Sequence, residues 1–505
     1  LVALPAAGLP ASAGAARSVA IPKPGHGGKL VFAGSLPSLW DPALSTAGTD
    51  VSALSIVYSG LTKLDVKGNP VPDLASSWKW ARNGRSITFT LRPNLVFTDG
   101  AKLDAKAVKT NILRGRDDPK SLIAPQLAPI AQVHTPTPTT VTLVLNQLDW
   151  DLPRVLAGKT GELVSPKAIA DNPAGLATQP VGAGPFKLTK LVSGSQATLV
   201  RNPSYWDAKD VLLSELDLQF IPNPQTVVAA LKTGSVNFAW ITTNTTIPAL
   251  TEQSNIAVSV VPSLRANSIE VNAAMPPFNN PKVVQAVNYA IDRPTLLKTV
   301  FGNIGKVSYQ AFPRGYVGYS EAAANLYPYN PAKAKALLAS AGYANGGPAF
   351  PITYFDYGPF KALAEALQSE LNAVGFQTTL TSIPLAQAGT AVYVNHSVAF
   401  NPNGISGRES PLQMLEIQYA HDGLLNPCRC APSKLTAAFN AVAKTPTDSP
   451  KYPALLQNAS AIAAKTSANI FLTTQPWVYA RSTKVQGVQP YLVAQRFEGV
   501  YVEQS

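Results

Sequence analysis

RANSIEVNAAMPPFNNPKVVQAVNYAIDRPTLLKTVFG, residues 265–302, is the stretch around which the rest of the chain is organised. Its start alternates: Ser268, Glu270 and Asn272 are polar while Ile269 and Val271 are apolar, a period of two that predicts a half-buried strand. Pro276-Pro277 stops that strand. Asn280 then supplies an N-cap, and Pro281 takes the first helical position, where a missing N–H costs nothing. Val283, Val284, Val287, Ala290 and Ile291 follow at helical spacing and make one apolar stripe. A second helix is predicted from Asp292-Arg293-Pro294 to Gly302. The stretch is a strand, a turn and a helical pair, not a catalytic loop.

Composition bounds what surrounds it. A chain of 505 residues is too long for one core, so two or three domains are expected. Hydrophobic residues make up 46 % and charged residues 14 %, which describes a folded chain rather than a disordered one. No internal apolar run reaches the roughly 18 residues of a membrane span. The net charge of +12 comes from 41 basic and 29 acidic residues, yet no basic run exceeds two residues. Nucleic-acid binding needs that charge gathered into a patch with aromatics between, so it is not expected.

Catalytic patterns are absent. Gly158-Lys159-Thr160 would need a glycine at 153 to form a phosphate-binding loop, and Pro153 stands there. Ser406 has Gly404 two residues before it but Arg408 two after, which breaks the nucleophile-elbow pattern. The two cysteines, Cys428 and Cys430, lie in NPCRCAP; in an oxidising compartment this spacing suits a local disulfide. His26, His134, His396 and His421 form no cluster with them, so neither a metal nor a cofactor is expected. Residues 1–27 read as a signal remnant or a flexible Ala/Pro-rich extension, which favours export.

Pattern alone predicts strands at 29–33, 86–91, 141–145, 216–221 and 236–241, and helices at 51–62 and 223–234. The Pro- and Thr-rich segment 134–140 reads as a loop. Further on, a strand at 351–358, a helix at 359–374 and a strand at 376–383 make a βαβ unit, and 469–480 returns as an extended segment.

The wording of several segments resembles the peptide/nickel/opine class of extracellular solute-binding proteins, family 5 of ABC importers. The residues that carry it are Asn272, Pro276, Pro277 and Phe278, then Asn288 to Arg293; Tyr58, Gly60, Pro72, Asp73, Leu74, Ala75 and Trp78; Leu91, Arg92, Pro93, Phe97, Asp99 and Gly100; and Gly182, Gly184, Pro185, Phe186, Asn202, Pro203, Tyr205 and Trp206. Together they span roughly residues 29–490 in order. The resemblance implies an α/β fold of the periplasmic-binding-protein-like type (class II, cluster C), with mixed sheets and two lobes about an interlobe ligand cleft. Lobe 1 is expected over 28–266, with an extra subdomain, lobe 2 over 267–474, and a return to lobe 1 over 475–505. Two crossing segments, 265–272 and 474–481, would act as a hinge that ligand binding closes.

The same resemblance implies a monomeric, non-enzymatic protein, secreted or of the cell envelope (periplasm or outer face of the cytoplasmic membrane), that delivers a small molecule or short peptide to ABC permease subunits. Alternatives are a non-peptide ligand such as an oligosaccharide or an aromatic or other organic acid, or a surface peptide sensor or chaperone that feeds no importer. Candidate ligand residues are Trp40, in the loop after the first strand; Trp240, on a strand leading to the cleft; Trp477, on the return; and Asn403, Gly404, Arg408 and Glu409. Trp40 also fits a core position, the default for an aromatic. Peptide-binding relatives carry a Trp and then an Asp that pairs with the peptide's α-amino group. The corresponding text here, SVAFNPNGISGRESP at 397–411, has neither. Its charges are Arg408 and Glu409, so a neutral or acidic solute is expected near it.

Overall fold

A computed structural model describes residues 21–466 and 469–504; residues 1–20, most of the expected N-terminal extension, lie outside them. The N–H groups of Gly25 and Gly27 already donate to the carbonyls of Val211 and Leu212, so the fold begins a few residues before Gly28.

Two long antiparallel strands, Ile256–Val271 and Asn469–Ser482, form the spine. Their outer halves pair as Ile256↔Ser482 through Val261↔Trp477, and their inner halves as Arg265↔Gln475 through Glu270↔Asn469, with a register break between Val261 and Arg265. On one side of the break Phe238–Trp240 joins Asn469–Ser482, and the parallel strands Lys29–Ala33 and Glu215–Gln219 continue the sheet to Gln196–Arg201 and Phe186–Val192. On the other side Phe400–Ile405 pairs with the inner half of Ile256–Val271. One sheet therefore runs through both lobes, and the break in register falls where it passes from one to the other. Pairing is locally interrupted there, which lets a sheet bend without unravelling.

The lobes have separate cores. Around the first lie Leu30, Leu54, Tyr58, Phe186, Leu216 and Phe238; beside it a four-stranded antiparallel subdomain, Ala75–Trp80, Ser86–Leu91, Thr140–Leu145 and Ile130–Thr137, buries Phe89, Leu143 and Val108. Around the second lie Ile269, Phe278, Val287, Leu363 and Phe400, with a helical annex built on Leu412, Met414, Phe439 and Leu456. Of segment 134–140, predicted as a loop, residues 134–137 instead continue the strand Ile130–Thr137, and only 138–139 turn into the next strand, Thr140–Leu145. Ile130–Thr137 is at the edge of its sheet, where Pro136 leaves no ladder bond unmade.

The motif Asn288 to Arg293 has a physical basis. Helix Pro281–Ala290 is capped by the Asn280 side chain, which accepts from Lys282 N–H, and helix Arg293–Thr299 by Asp292, which accepts from Thr295 N–H. Arg293 is 1 % exposed; its guanidinium donates to Asn288 Oδ1 at 2.9 Å, to the Asn288 carbonyl at 3.1 Å and to the Phe471 carbonyl at 2.7 Å. It ties the helical pair to the returning strand. The two glycines before Pro185 pack against the end of helix Asp50–Val57: a methyl group on Gly182 or Gly184 would collide with the backbone of Val57.

Candidate functional site

The lobes face each other across three patches. In the first, strand Phe238–Trp240 and the returning strand place Trp240 and Trp477 edge to face, ring centroids 5.1 Å apart. Both line a cavity with Phe32, Ser35, Ser52 and Tyr479. Trp477 donates its indole N–H to the Leu492 carbonyl at 3.1 Å, while the Trp240 indole nitrogen is buried without a partner. Arg265, at the register break, lays its guanidinium over both rings, 4.7 Å from one centroid and 4.8 Å from the other. Burial brings its pKa down to about 10, and the phenols of Tyr357 and Tyr479 pull the other way. Tyr357, in the loop after the second-lobe strand Ala349–Phe355, reaches across toward Ser35 and Thr242 of the first lobe.

In the second patch, the loop between strand Phe400–Ile405 and helix Pro411–Tyr419 is pressed against the first lobe. Arg408 and Glu409 are 6 % and 7 % exposed. The Arg408 guanidinium donates to the carbonyls of Ser406 at 3.1 Å and Gly407 at 3.2 Å and lies directly over Gly48, while the Glu409 carboxylate lies against Gly158. A side chain at either first-lobe position would force these side-chain ends to shift. Gly48, Arg408 and Glu409, together with Lys159, Val51 and Gln413, line an interlobe cavity. Lys159 donates to the Ser45 carbonyl at 2.6 Å, and burial lowers its pKa to about 8. Burial pushes Glu409 up and Arg408 down; Glu162, whose carboxyl oxygens have no hydrogen-bond partner, is held well above the usual carboxylate range by burial and by Glu409.

The third patch is acidic. Asp151 pairs with Arg154 at 2.7 Å and accepts from the second-lobe hydroxyls of Tyr452, at 3.2 Å, and Ser410. Burial, reinforced by neighbouring carboxylates, raises Asp149 to about 7 and Glu416 to about 8.

Of the residues singled out in the sequence, Arg408 and Glu409 lie against the first lobe from the second, while Trp240 and Trp477 belong to the same first-lobe core as Trp40 and line a first-lobe cavity beside Arg265. Trp40 is 3 % exposed in the first-lobe core, its N–H donating to Ala177 and its carbonyl accepting from Tyr58, and it lines neither cavity. Asn403 is engaged within the second lobe: its amide donates to Glu270 at 3.1 Å and to Tyr393, and Gly404 N–H donates to its oxygen. Gly404 faces the Phe360 ring. Cys428 and Cys430 have their Cα atoms 5.1 Å apart with the sulfurs adjacent. Sequence reading missed Arg265, Lys159 and Tyr357. Arg265 opens the stretch quoted first, but its partners at 240 and 477 are far away in the chain.

No group of His, Cys, Asp and Glu among the described residues is arranged to hold a metal ion, and none of their helices is long and apolar enough to cross a membrane. Residues 69–415 match the profile of the bacterial extracellular solute-binding proteins, family 5 middle region. Glutathione-binding protein GsiB of Escherichia coli strain K12 is 29 % identical over 367 residues, covering 72 % of this chain and 71 % of that one. Among solved structures, the periplasmic binding protein DppA of Helicobacter pylori with the peptide STSA superposes with a TM-score of 0.88 at 24 % identity, over 95 % of this chain and 99 % of that one. AgaA of Agrobacterium tumefaciens R10 with agropinic acid gives 0.84 at 24 % over 94 % and 99 %, and AppA of Bacillus subtilis with a nonapeptide 0.86 at 21 % over 96 % and 100 %. These relatives are binding proteins, not enzymes, and the family works outside the cytoplasm. The chain belongs to the bacterial extracellular solute-binding proteins of family 5, the binding components of ABC importers.

Proposed function

We propose that the protein, acting as a monomer, captures a small peptide-sized solute between its lobes and delivers it to the permease of an ABC importer. The observation that carries this is the fit of the 406–410 loop against first-lobe glycines, which exists only when the lobes are together. Residues 28–266 and 475–505 then act as one lobe, 267–474 as the other, and the register break at 261–265 with its partner segment 475–477 as the hinge. A solute touching Trp240 and Trp477 on one side and the Arg408–Glu409 loop on the other favours the closed state by its differential affinity. Trp40, Asn403 and Gly404 hold those walls in place from behind.

The solute is neutral or acidic at the 406–410 loop. With no Asp in 397–411, that segment itself offers a free ammonium only Glu409, and Glu409 is buried against Gly158; an unpaired buried ammonium costs several kcal/mol. The ligands of the similar proteins, glutathione, a peptide and agropinic acid, fall in the expected size range. Calorimetry against N-blocked and free-amine di- to pentapeptides, sugars and organic acids, with mass spectrometry of whatever co-purifies, tests this. N-blocked or acidic compounds are expected to bind best. Tight binding of plain free-amine peptides that survives both Glu409→Gln and Arg408→Ala would overturn it.

A further inference from the structure

Arg265 is half-buried, and among the described residues no carboxylate and no hydrogen-bond acceptor engages its guanidinium. Its five N–H donors share the rigid guanidinium plane and sit beside the two indoles, yet the protein uses none. A guanidinium desolvated to this extent is ordinarily paired, because a buried charge without a counter-charge is costly. Cation–π contact with Trp240 and Trp477 offsets part of that cost. The nearest groups of opposite tendency are two phenols, Tyr357 and Tyr479, which are neutral at physiological pH. A second donor points the same way: the buried Trp240 indole N–H has no acceptor, although its neighbour Trp477 has one. Both indoles also form part of the wall of the adjoining cavity.

Unused donors with no acceptor among them call for an anion, and a planar fork calls for a planar one. We propose that Arg265, with the Trp240 indole N–H, is a carboxylate-binding subsite for the captured solute. The ligand class is a peptide or small organic acid that presents a carboxylate to the register break and an apolar or planar portion to the two indoles. This rests on the transport function proposed above only for its biological meaning; the subsite itself is tested without it. Because Arg265 sits at the break between the two halves of Ile256–Val271, an anion bound there touches the segment that bends.

The test uses the indole N–H resonances of the seven tryptophans in the 15N-labelled full chain, with Trp240→Phe identifying one of them. The probes are N-acetylglycine, glutarate and benzoate, each against its uncharged amide. Carboxylates are expected to shift the Trp240 signal saturably and amides to leave it in place. Arg265→Met should weaken that response by about 10- to 100-fold, the usual loss for a charge-assisted hydrogen-bonded pair. Arg265→Lys, which keeps the charge and loses the fork, should weaken it by about tenfold, and Arg314→Ala, an exposed arginine paired with Glu321, should change nothing. No shift with any carboxylate, equal shifts with the amides, or an undiminished response in Arg265→Met would overturn the proposal. A saturable carboxylate response in a protein whose lobes never close would instead leave the subsite standing and remove the transport function.

Discussion

Substituting Gly158 by alanine probes closure without touching either lobe's core. The added methyl group would lie within 2.6 Å of Glu409 Oε2 and closer still to its carboxyl carbon, where ordinary contact begins near 3.4 Å. Glu409 is 7 % exposed, so its carboxylate has little room to retreat. Overpacking of this kind costs about 1–3 kcal/mol, and because the carboxylate is a side-chain end the lower half of that range is expected. Gly158 and Glu409 belong to different lobes, so the cost falls on the closed state alone. It therefore appears as weaker binding, about 5- to 30-fold in Kd, with the thermal midpoint of the unliganded protein unchanged. Calorimetry with the best ligand of the panel measures it. In a Glu409→Ala background the same Gly158→Ala change should cost less than about twofold, since the obstruction is gone. Equal losses in both backgrounds, or wild-type affinity in the single variant, would refute closure of these two surfaces onto each other.

Three further expectations follow from the same contacts. Carboxyls that titrate near 4 when open to water are held near 7 at Asp149 and near 8 at Glu416 by burial at the lobe junction, so the closed state binds protons more tightly. Its advantage is complete below the open-state pKa and is lost as pH rises through those values; affinity should fall several-fold from about pH 6 to about pH 9, and a profile that is flat, or unaltered by Glu416→Gln, would count against it. Arg293→Ala leaves the Asn288 and Phe471 carbonyls without their donor and should lower stability by about 3 kcal/mol in chemical denaturation; a loss under about 1 kcal/mol would show that the helical pair is not held by this residue. Cys428 and Cys430 are proposed to be bridged: thiol titration of the native protein should find no free thiol, two would disprove the bridge, and changing both to serine should leave affinity nearly intact because so short a loop constrains the unfolded chain little.

Local chemistry made much of the fold legible. Asn280, Asp292 and Asn223 cap helices where their spacing to Pro281, Pro294 and Pro224 predicts, because a cap is a contact between near neighbours in sequence. Pro136 misled for the opposite reason: whether a proline ends a strand depends on whether another strand needs its N–H, which only the sheet order reveals. The site divides the same way. Trp240, Trp477 and the 406–410 loop were accessible through resemblance, but Arg265 acquires meaning only once residues 240 and 477 are folded beneath it. Gly48 and Gly158 carry no signal at all until Arg408 and Glu409 are seen resting on them.

Closure on a captured solute is the central claim, and small-angle X-ray scattering of the full chain with and without the ligand selected by calorimetry tests it most directly. The radius of gyration should fall on saturation in the wild type, and fall less at the same ligand concentration in Gly158→Ala. A radius that stays the same with ligand fully bound would contradict the account.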